Sequence, residues 1–372
     1  MTLSLPGQPR AEVLLNAGLV APAHAYLLHG PAGTGKRDAA RAFAAALLGC
    51  DVRRVVPGSH PDLAMIEPEG ESLLVDQVHE LSSALRYRPQ EAVRRVGIVD
   101  EADRLNRDAA NAFLKTLEEP PGDVVLILLA DDVQRVLPTV RSRCQPIAFP
   151  PLAAGAIAAR LTADGIDPVA AQAIGARCRG DLAFARRLAA DAAVGAWIAG
   201  VERDVLALLG EGLAEDAAVQ RTYAGIKAVG EAAESEAQAA AAAQLERLEK
   251  LPTSRELDRE RRRIEAAGKT TAARRRRRAE TDMMRAVITT VQLVIRDVLC
   301  VQADAADQVG STAAVEALVP LAEHLSRARL EAALTGVDEV RRALAQPINV
   351  PLALAAVYAR VGLARRREAV SA

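Results

Sequence analysis

Three short runs in the first 130 residues, Tyr26-Leu27-Leu28-His29, Val96-Gly97-Ile98-Val99 and Val124 to Leu129, carry almost no polar side chain. A strand with one face in water alternates polar and apolar residues, so a run that does not alternate is buried on both faces. Helical stretches lie between these runs. Lys36 to Leu48 is rich in Ala and Leu, and Asp108 to Glu118 is helical until Glu119-Pro120-Pro121-Gly122 stops it through missing amide donors and turn-forming residues. Doubly buried strands alternating with helices predict an α/β domain with a parallel sheet flanked by helices.

After Pro150-Pro151 the strands end. Residues 152–206 read as short Ala-rich helices broken at Gly165-Ile166-Asp167-Pro168 and at Gly180-Asp181, and the remainder is helical too. A chain of 372 residues is too long for one ordinary core. The expected division is an α/β domain over 1–150, an all-α lid over 151–206 and an all-α domain over 207–372. With four Phe, four Tyr and one Trp in the whole chain, the cores must be built from Ala, Leu, Val and Ile, which suits packed helices.

The last region holds an island of different composition at about 231–282. Residues 231–250 are rich in Ala, Glu and Gln, and Arg274 to Arg278 are five consecutive arginines. Across 255–285 twelve basic side chains stand against six acidic ones. Charge runs are usually solvated surface, so the expectation is a loop beside a charged helix pair, with 231–265 able to form a helical arm. Contact with DNA phosphates is the alternative reading, and no aromatic interleaves the arginines for base stacking. The net charge of −1 gives no global drive toward nucleic acid or membrane. Met1 to Arg10 lacks a signal pattern, and the longest aliphatic run, Val124 to Ala130, falls far short of the roughly 20 residues that span a bilayer. A soluble, cytoplasmic chain with no membrane contact is expected. Cys50, Cys144, Cys178 and Cys300 are scattered without a CxxC pair, which predicts neither a disulfide framework nor a zinc site.

Between the first strand and the first helix runs Gly30-Pro31-Ala32-Gly33-Thr34-Gly35-Lys36. In that setting glycines let backbone N–H groups turn inward around a phosphate, and the helix N-terminus adds partial positive charge. Gly30, Gly33, Thr34, Gly35 and Lys36 are therefore the candidate contacts to ATP or ADP, with Lys36 reaching the β/γ oxygens. The next residue departs from the pattern. A Ser or Thr hydroxyl there would ligate Mg²⁺, but the chain has Arg37, whose guanidinium cannot coordinate a cation. Asp100-Glu101-Ala102-Asp103 ends the second strand. In a P-loop ATPase the first acid sits at the metal's water shell and the second polarises the attacking water. Asp100 is a candidate cofactor contact and Glu101 a vestigial or weak catalytic group, with Mg²⁺ expected only alongside a bound nucleotide.

Asn111-Ala112-Phe113-Leu114-Lys115-Thr116-Leu117-Glu118-Glu119-Pro120-Pro121 and Leu137-Pro138-Thr139-Val140-Arg141-Ser142-Arg143-Cys144 are the most distinctive stretches. With the loop, the acidic strand end, Gly7-Gln8, His24-Ala25-Tyr26 and His60-Pro61-Asp62, the chain resembles the AAA+ clamp-loader subunits of bacterial DNA polymerase III, over residues 7 to about 190. Gln346-Pro347-Ile348-Asn349-Val350-Pro351 looks like that family's terminal collar helix. The resemblance implies that Arg143 is an arginine finger acting in trans on a neighbour's ATP. It also implies other loader subunits (gamma/tau and delta type) as partners, with the sliding clamp and primer-template DNA reached through the complex.

The family holds ATP-hydrolysing motors and a stationary subunit that hydrolyses nothing. Three departures favour the stationary kind: Arg37, the acidic pair Asp131-Asp132 at the polar sensor, and Phe184 where motors carry a second sensor arginine. A gamma/tau-type motor hydrolysing ATP through Lys36, Asp100 and Glu101 is the alternative. Many members also carry a four-cysteine zinc module. Here Cys50 and His60 are too few to build one, and no metal is expected.

Overall fold

The computed structural model describes residues 2–55, 60–68, 72–210, 214–249, 255–311, 315–344 and 349–365. The chain divides into two compact units, Met1–Arg186 and Arg187–Ala372.

In the first unit α1 (Pro9–Val20) precedes β1 (Ala25–His29), α2 (Lys36–Leu48), the single turn α3 (Val52–Val55), β2 (Leu63–Ile66), α4 (Val75–Leu85) and β3 (Arg95–Val99). Then come α5 (Arg107–Glu118), β4 (Val124–Ala130), the short α6 (Pro138–Arg141), β5 (Gln145–Ala148), α7 (Ala154–Ala163), α8 (Pro168–Arg177) and α9 (Leu182–Ala190), within which the unit ends. The five strands form one parallel sheet in the order β2–β3–β4–β1–β5.

Strand side chains alternate between faces, and the three inner strands supply a core to each. Tyr26, Leu28, Ile98, Ile127 and Leu129 pack with Leu15 of α1 and Phe43 of α2 on one side, where the Tyr26 and Phe43 rings meet edge-on at 5.1 Å. Leu27, Val99, Leu126 and Leu128 pack with Leu81 and Leu85 of α4 and Phe113 and Leu117 of α5 on the other. The sequence runs mark only β1, β3 and β4. The edge strands β2 and β5 escape them because an edge strand needs few apolar residues: only Ile147 of β5 is buried, and Pro146 is tolerated there because no ladder continues beyond it.

In the second unit α10 (Ala192–Leu209) is followed by α11 (Glu215–Glu249), α12 (Arg255–Gln302), α13 (Val315–His324), α14 (Arg327–Ala343) and α15 (Val350–Arg365). The C-terminal half of α12 runs through the core, with Met283, Met284, Val287, Ile288, Val291, Val294, Ile295 and Val298 all buried. Asn349 caps α15 by accepting the Leu352 N–H at 3.1 Å. Gln346, Pro347 and Ile348 of the expected terminal motif lie outside the described residues.

The described residues of the 231–282 island are helical rather than a loop. Arg274 to Arg278 lie inside α12, whose 48 residues make a helix about 72 Å long. Ala and Arg are strong helix formers, which outweighs the repulsion of the run. The outer part of α12 pairs with α11. Arg276 bonds Glu234 at 3.0 Å across the pair and Glu280 at 2.9 Å along its own helix. A methyl group on Gly268 would lie 2.9 Å from the Ala241 Cβ, and the buried side chains of the pair include Ala237 and Ala272. The pair is a helical hairpin with a seam of alanine and glycine.

One polar anchor sets the β2–β3 end of the sheet. The buried Asp62 carboxylate accepts the backbone N–H groups of Gln90, Glu91 and Ala92 at 2.7, 2.8 and 2.8 Å. Desolvation pushes its pKa up, but these three N–H bonds and the Arg95 charge outweigh that and hold it below the usual carboxylate range. A folded value below the unfolded one means that Asp62 contributes stability above the unfolded pKa, lost as pH falls through the folded one. Asp62→Asn is expected to cost about 1–2 kcal/mol at neutral pH, since a neutral amide accepts more weakly. In urea denaturation the difference from wild type should shrink toward pH 3. An equal difference at both pH values would remove the charge from this account.

Candidate functional site

Gly30, Gly33 and Gly35 all have positive φ (145°, 78° and 88°), which side-chain-bearing residues rarely adopt. At Gly30 a Cβ would also strike the Phe149 carbonyl oxygen, so the loop is threaded between the end of β4, through Gly30 N–H to Ala130 O at 3.2 Å, and the chain after β5. The Thr34 hydroxyl donates to Pro31 O at 3.0 Å, and the Gln8 amide donates to Thr34 O and Pro150 O at 3.2 and 2.8 Å. A cleft of about 350 Å³ opens beside the loop between Pro9–Arg10, His29–Pro31 and Ala148–Pro150. Desolvation, with the charge of Lys36, keeps His29 in it below the usual imidazole range.

The charges of the site close on one another. Lys36, only 6% exposed, donates to Gly30 O at 2.5 Å and Pro31 O at 2.7 Å, and pairs with Asp131 at 3.0 Å. Arg37 pairs through Nε with Asp100 at 2.5 Å and through Nη2 with Glu101 at 3.0 Å, while Arg104 takes the other Glu101 oxygen at 3.1 Å. The structure thus brings together Gly30, Gly33, Thr34, Gly35, Lys36, Asp100 and Glu101, and it bridges the two acids with a guanidinium. That donor set fits Arg37 and does not fit hydrated Mg²⁺, which would need a hydroxyl at position 37 and both acids free. Asp131, just after β4, serves as the counter-ion of Lys36.

Burial pushes Asp100 up from the usual carboxylate range, and Arg37 only partly restrains it. Glu101 is raised by burial against Arg104, and Asp103 by burial reinforced by Asp131. Asp103 accepts the Asp132 N–H at 3.2 Å, and its other oxygen is buried without a partner.

Sequence reasoning missed the contact from beyond the sheet. Leu182 N–H donates to Gly33 O at 2.8 Å, and the Asp181 carboxylate lies so close to Gly33 that a methyl group there would meet its Oδ1. Asp181 also caps α9 by accepting the Phe184 N–H at 2.9 Å. Phe184 itself is buried and offers no charge; the arginine of α9 that reaches α2 is Arg186, bonded to Asp38 at 2.7 Å. The Gly180-Asp181 break was the only signal for this contact.

Arg143 is elsewhere. β5 runs parallel to β1 with Gln145 opposite Tyr26 and Ala148 opposite His29. The glycine loop leaves the His29 end, whereas Arg143 enters at the Gln145 end, three residue steps or roughly 10 Å back along the sheet. It pairs with Glu118 at 2.5 Å and donates to Thr139 O at 2.9 Å, and its side chain is 35% exposed. Cys144 beside it is buried, with its thiol pushed up to about 12 by desolvation, which makes it inert. His60 is buried, its Nδ1 accepting the Asp62 N–H at 3.1 Å.

A parallel sheet in this strand order, with a glycine-rich loop after β1 and paired acids after β3, defines an AAA+-type P-loop domain. Residues 19–153 match the family described as DNA polymerase III, delta subunit. The DNA polymerase III subunit delta' of Pseudomonas aeruginosa is 42% identical over 144 residues, 34% of this chain and 43% of that one. The delta' subunit of Bacillus subtilis is 35% identical over 174 residues, 43% of this chain and 53% of its own. The tau subunit of Bacillus subtilis is 33% identical over 151 residues, 37% of this chain and 26% of that one. The chain thus spans about half the length of the delta' relatives it matches, and the similarity to DNA polymerase III subunits lies in its N-terminal α/β domain. A solved gamma subunit-related protein from Thermotoga maritima covers 96% of this chain at 18% identity and a TM-score of 0.45.

Removing the bridging cation should expose its role. Arg37→Met leaves two buried carboxylates without their shared partner, and, with Arg37 one-third exposed, the expected cost is about 2 kcal/mol. The folded values of Asp100 and Glu101 already lie above the unfolded ones, so their ionisation costs stability as pH rises, and the variant should suffer more. Urea denaturation at pH 5 and pH 8 checks this: the penalty is larger at pH 8, and a penalty independent of pH would show that Arg37 acts by packing alone.

Proposed function

We propose that this chain is a delta prime subunit of the clamp loader, a largely non-hydrolysing AAA+ scaffold. It donates Arg143 to a neighbouring subunit's ATP site while the sliding clamp is loaded onto primer-template DNA. The observation behind this reading is the separation of the two halves of an ATPase within one chain. Arg143 stands at the strand end opposite the glycine loop, so it serves only a nucleotide held by another subunit. Arg37, meanwhile, fills the position where Mg²⁺ would join Asp100 and Glu101.

In trans, the Arg143 guanidinium would leave Glu118 for the γ-phosphate of the neighbour and neutralise the charge spreading over the transferring phosphoryl group. The Glu118 pair is half-exposed, so little stability is lost in the exchange. Any ATP or ADP at the chain's own loop would be held passively by Gly33, Thr34, Gly35 and Lys36.

The helices after Pro150 would form a lid, and those after about residue 207 a collar that meets gamma/tau- and delta-type subunits. α15 suits the collar: it is apolar nearly all round, and Leu352 and Leu363 are exposed on it. Clamp and DNA would be met through the complex. No described helix is long and apolar enough to cross a membrane, which fits the proposed cytoplasmic location.

The test is clamp- and DNA-stimulated ATP turnover in a reconstituted loader, with wild-type, Lys36→Ala and Arg143→Ala forms of this chain. Arg143→Ala is expected to cut turnover by roughly tenfold or more, with Lys36→Ala near wild type. The reverse pattern would make the chain a gamma/tau-type motor.

A further inference from the structure

Eight of the nine aromatic side chains are buried or half-buried; Tyr87 is 71% exposed. It stands in the loop of residues 86–94 that joins α4 to β3, flanked by Arg86 and Arg88, which are exposed and pair with no acid among the described residues. The one acid of the loop, Glu91, is taken by Arg54 of α3 at 2.9 Å, and exposed Arg53 lies beside Arg54 on the same turn. What remains is a positively charged surface around a single open ring.

The loop is held rigidly. Asp62 grips three consecutive N–H groups at its far half, and Arg95, buried at the start of β3, donates to Tyr87 O at 3.4 Å and Pro61 O at 2.6 Å. An aromatic ring whose backbone is fixed loses little freedom on binding, so its exposure is that of a ready platform.

We propose that the 86–94 loop contacts single-stranded nucleic acid, with a base stacked on Tyr87 and adjacent phosphates on Arg86 and Arg88. Aromatic faces accept any base, and unpaired guanidiniums beside them supply the backbone contacts such binding requires. A protein partner is the poorer fit, because a tyrosine hot spot sits within an apolar surround, and Val93 is the only large exposed aliphatic in this loop. The arginine run of the hairpin is poorer still: Arg276 is bound to Glu234 and Glu280, and no aromatic accompanies it. The contact is independent of Arg143 and of the charges around Lys36.

Fluorescence anisotropy of a labelled oligothymidylate of about 30 nucleotides, titrated with the full chain at low salt, tests it. The wild type is expected to bind, Tyr87→Ala to bind roughly tenfold more weakly, and Tyr87→Phe to match the wild type. The Arg86→Gln/Arg88→Gln variant should weaken binding and flatten its salt dependence by about 1.4 in the log–log slope. These side chains are exposed, so the variants keep the fold, and circular dichroism verifies it. No binding by the wild type, equal binding by Tyr87→Ala, or loss only in Arg275→Gln/Arg277→Gln would overturn the proposal. So would a strand-indifferent chain whose Tyr87→Ala form fails to assemble with other loader subunits, which would make the loop a protein contact.

Discussion

All five strands of the first unit point the same way, and that polarity decides where every functional side chain goes. Connections leaving the strands gather at one edge of the sheet; connections entering them gather at the other. The glycine loop, Asp100, Glu101 and Asp131 all follow strands and therefore meet. Arg143 precedes β5 and the 86–94 loop precedes β3, so both are delivered to the opposite edge, away from the loop of their own chain. A fold of antiparallel hairpins would mix these groups at either edge.

At the loop edge the decisive balance is between burial and charge. Lys36 and Asp100 are both nearly inaccessible, and an isolated ion in such a place would be costly. Each cation has therefore found an anion, and each anion a cation or a backbone donor. A hydrated divalent ion has to displace a fixed, multiply bonded guanidinium to enter such an arrangement, while an ordinary P-loop need only exchange water. The glycine geometry survives beside this change because it is a property of the backbone turn, and the closeness of Phe149 and Asp181 to Gly30 and Gly33 keeps those positions small whatever the loop binds.

The three inner strands were legible in the sequence because burial on both faces leaves an unbroken apolar run. The edge strands were not, since Leu63–Ile66 and Gln145–Ala148 have few buried positions and read as loop. That position 37 carries a guanidinium, which cannot ligate a metal, could be read from the sequence alone. Where its guanidinium goes could not, because Glu101 lies 64 residues away and only the strand order brings them together. The same holds for Glu118 with Arg143 and for Asp181 with Gly33. In the basic island, local helix propensity was the better guide: once Glu234 and Glu280 neutralise Arg276, the run has no reason to leave the helix.

The hairpin of α11 and α12 has its two roots side by side, Gly230 against Glu280, and its helices run on into the core of the second unit. Its length is therefore uncoupled from everything below it. Adding or removing one heptad from each helix shifts the tip by about 10 Å and leaves the seam in phase and the core untouched. Such an element can drift in size between lineages like the handle of a tool, lengthening or shrinking without altering the working end.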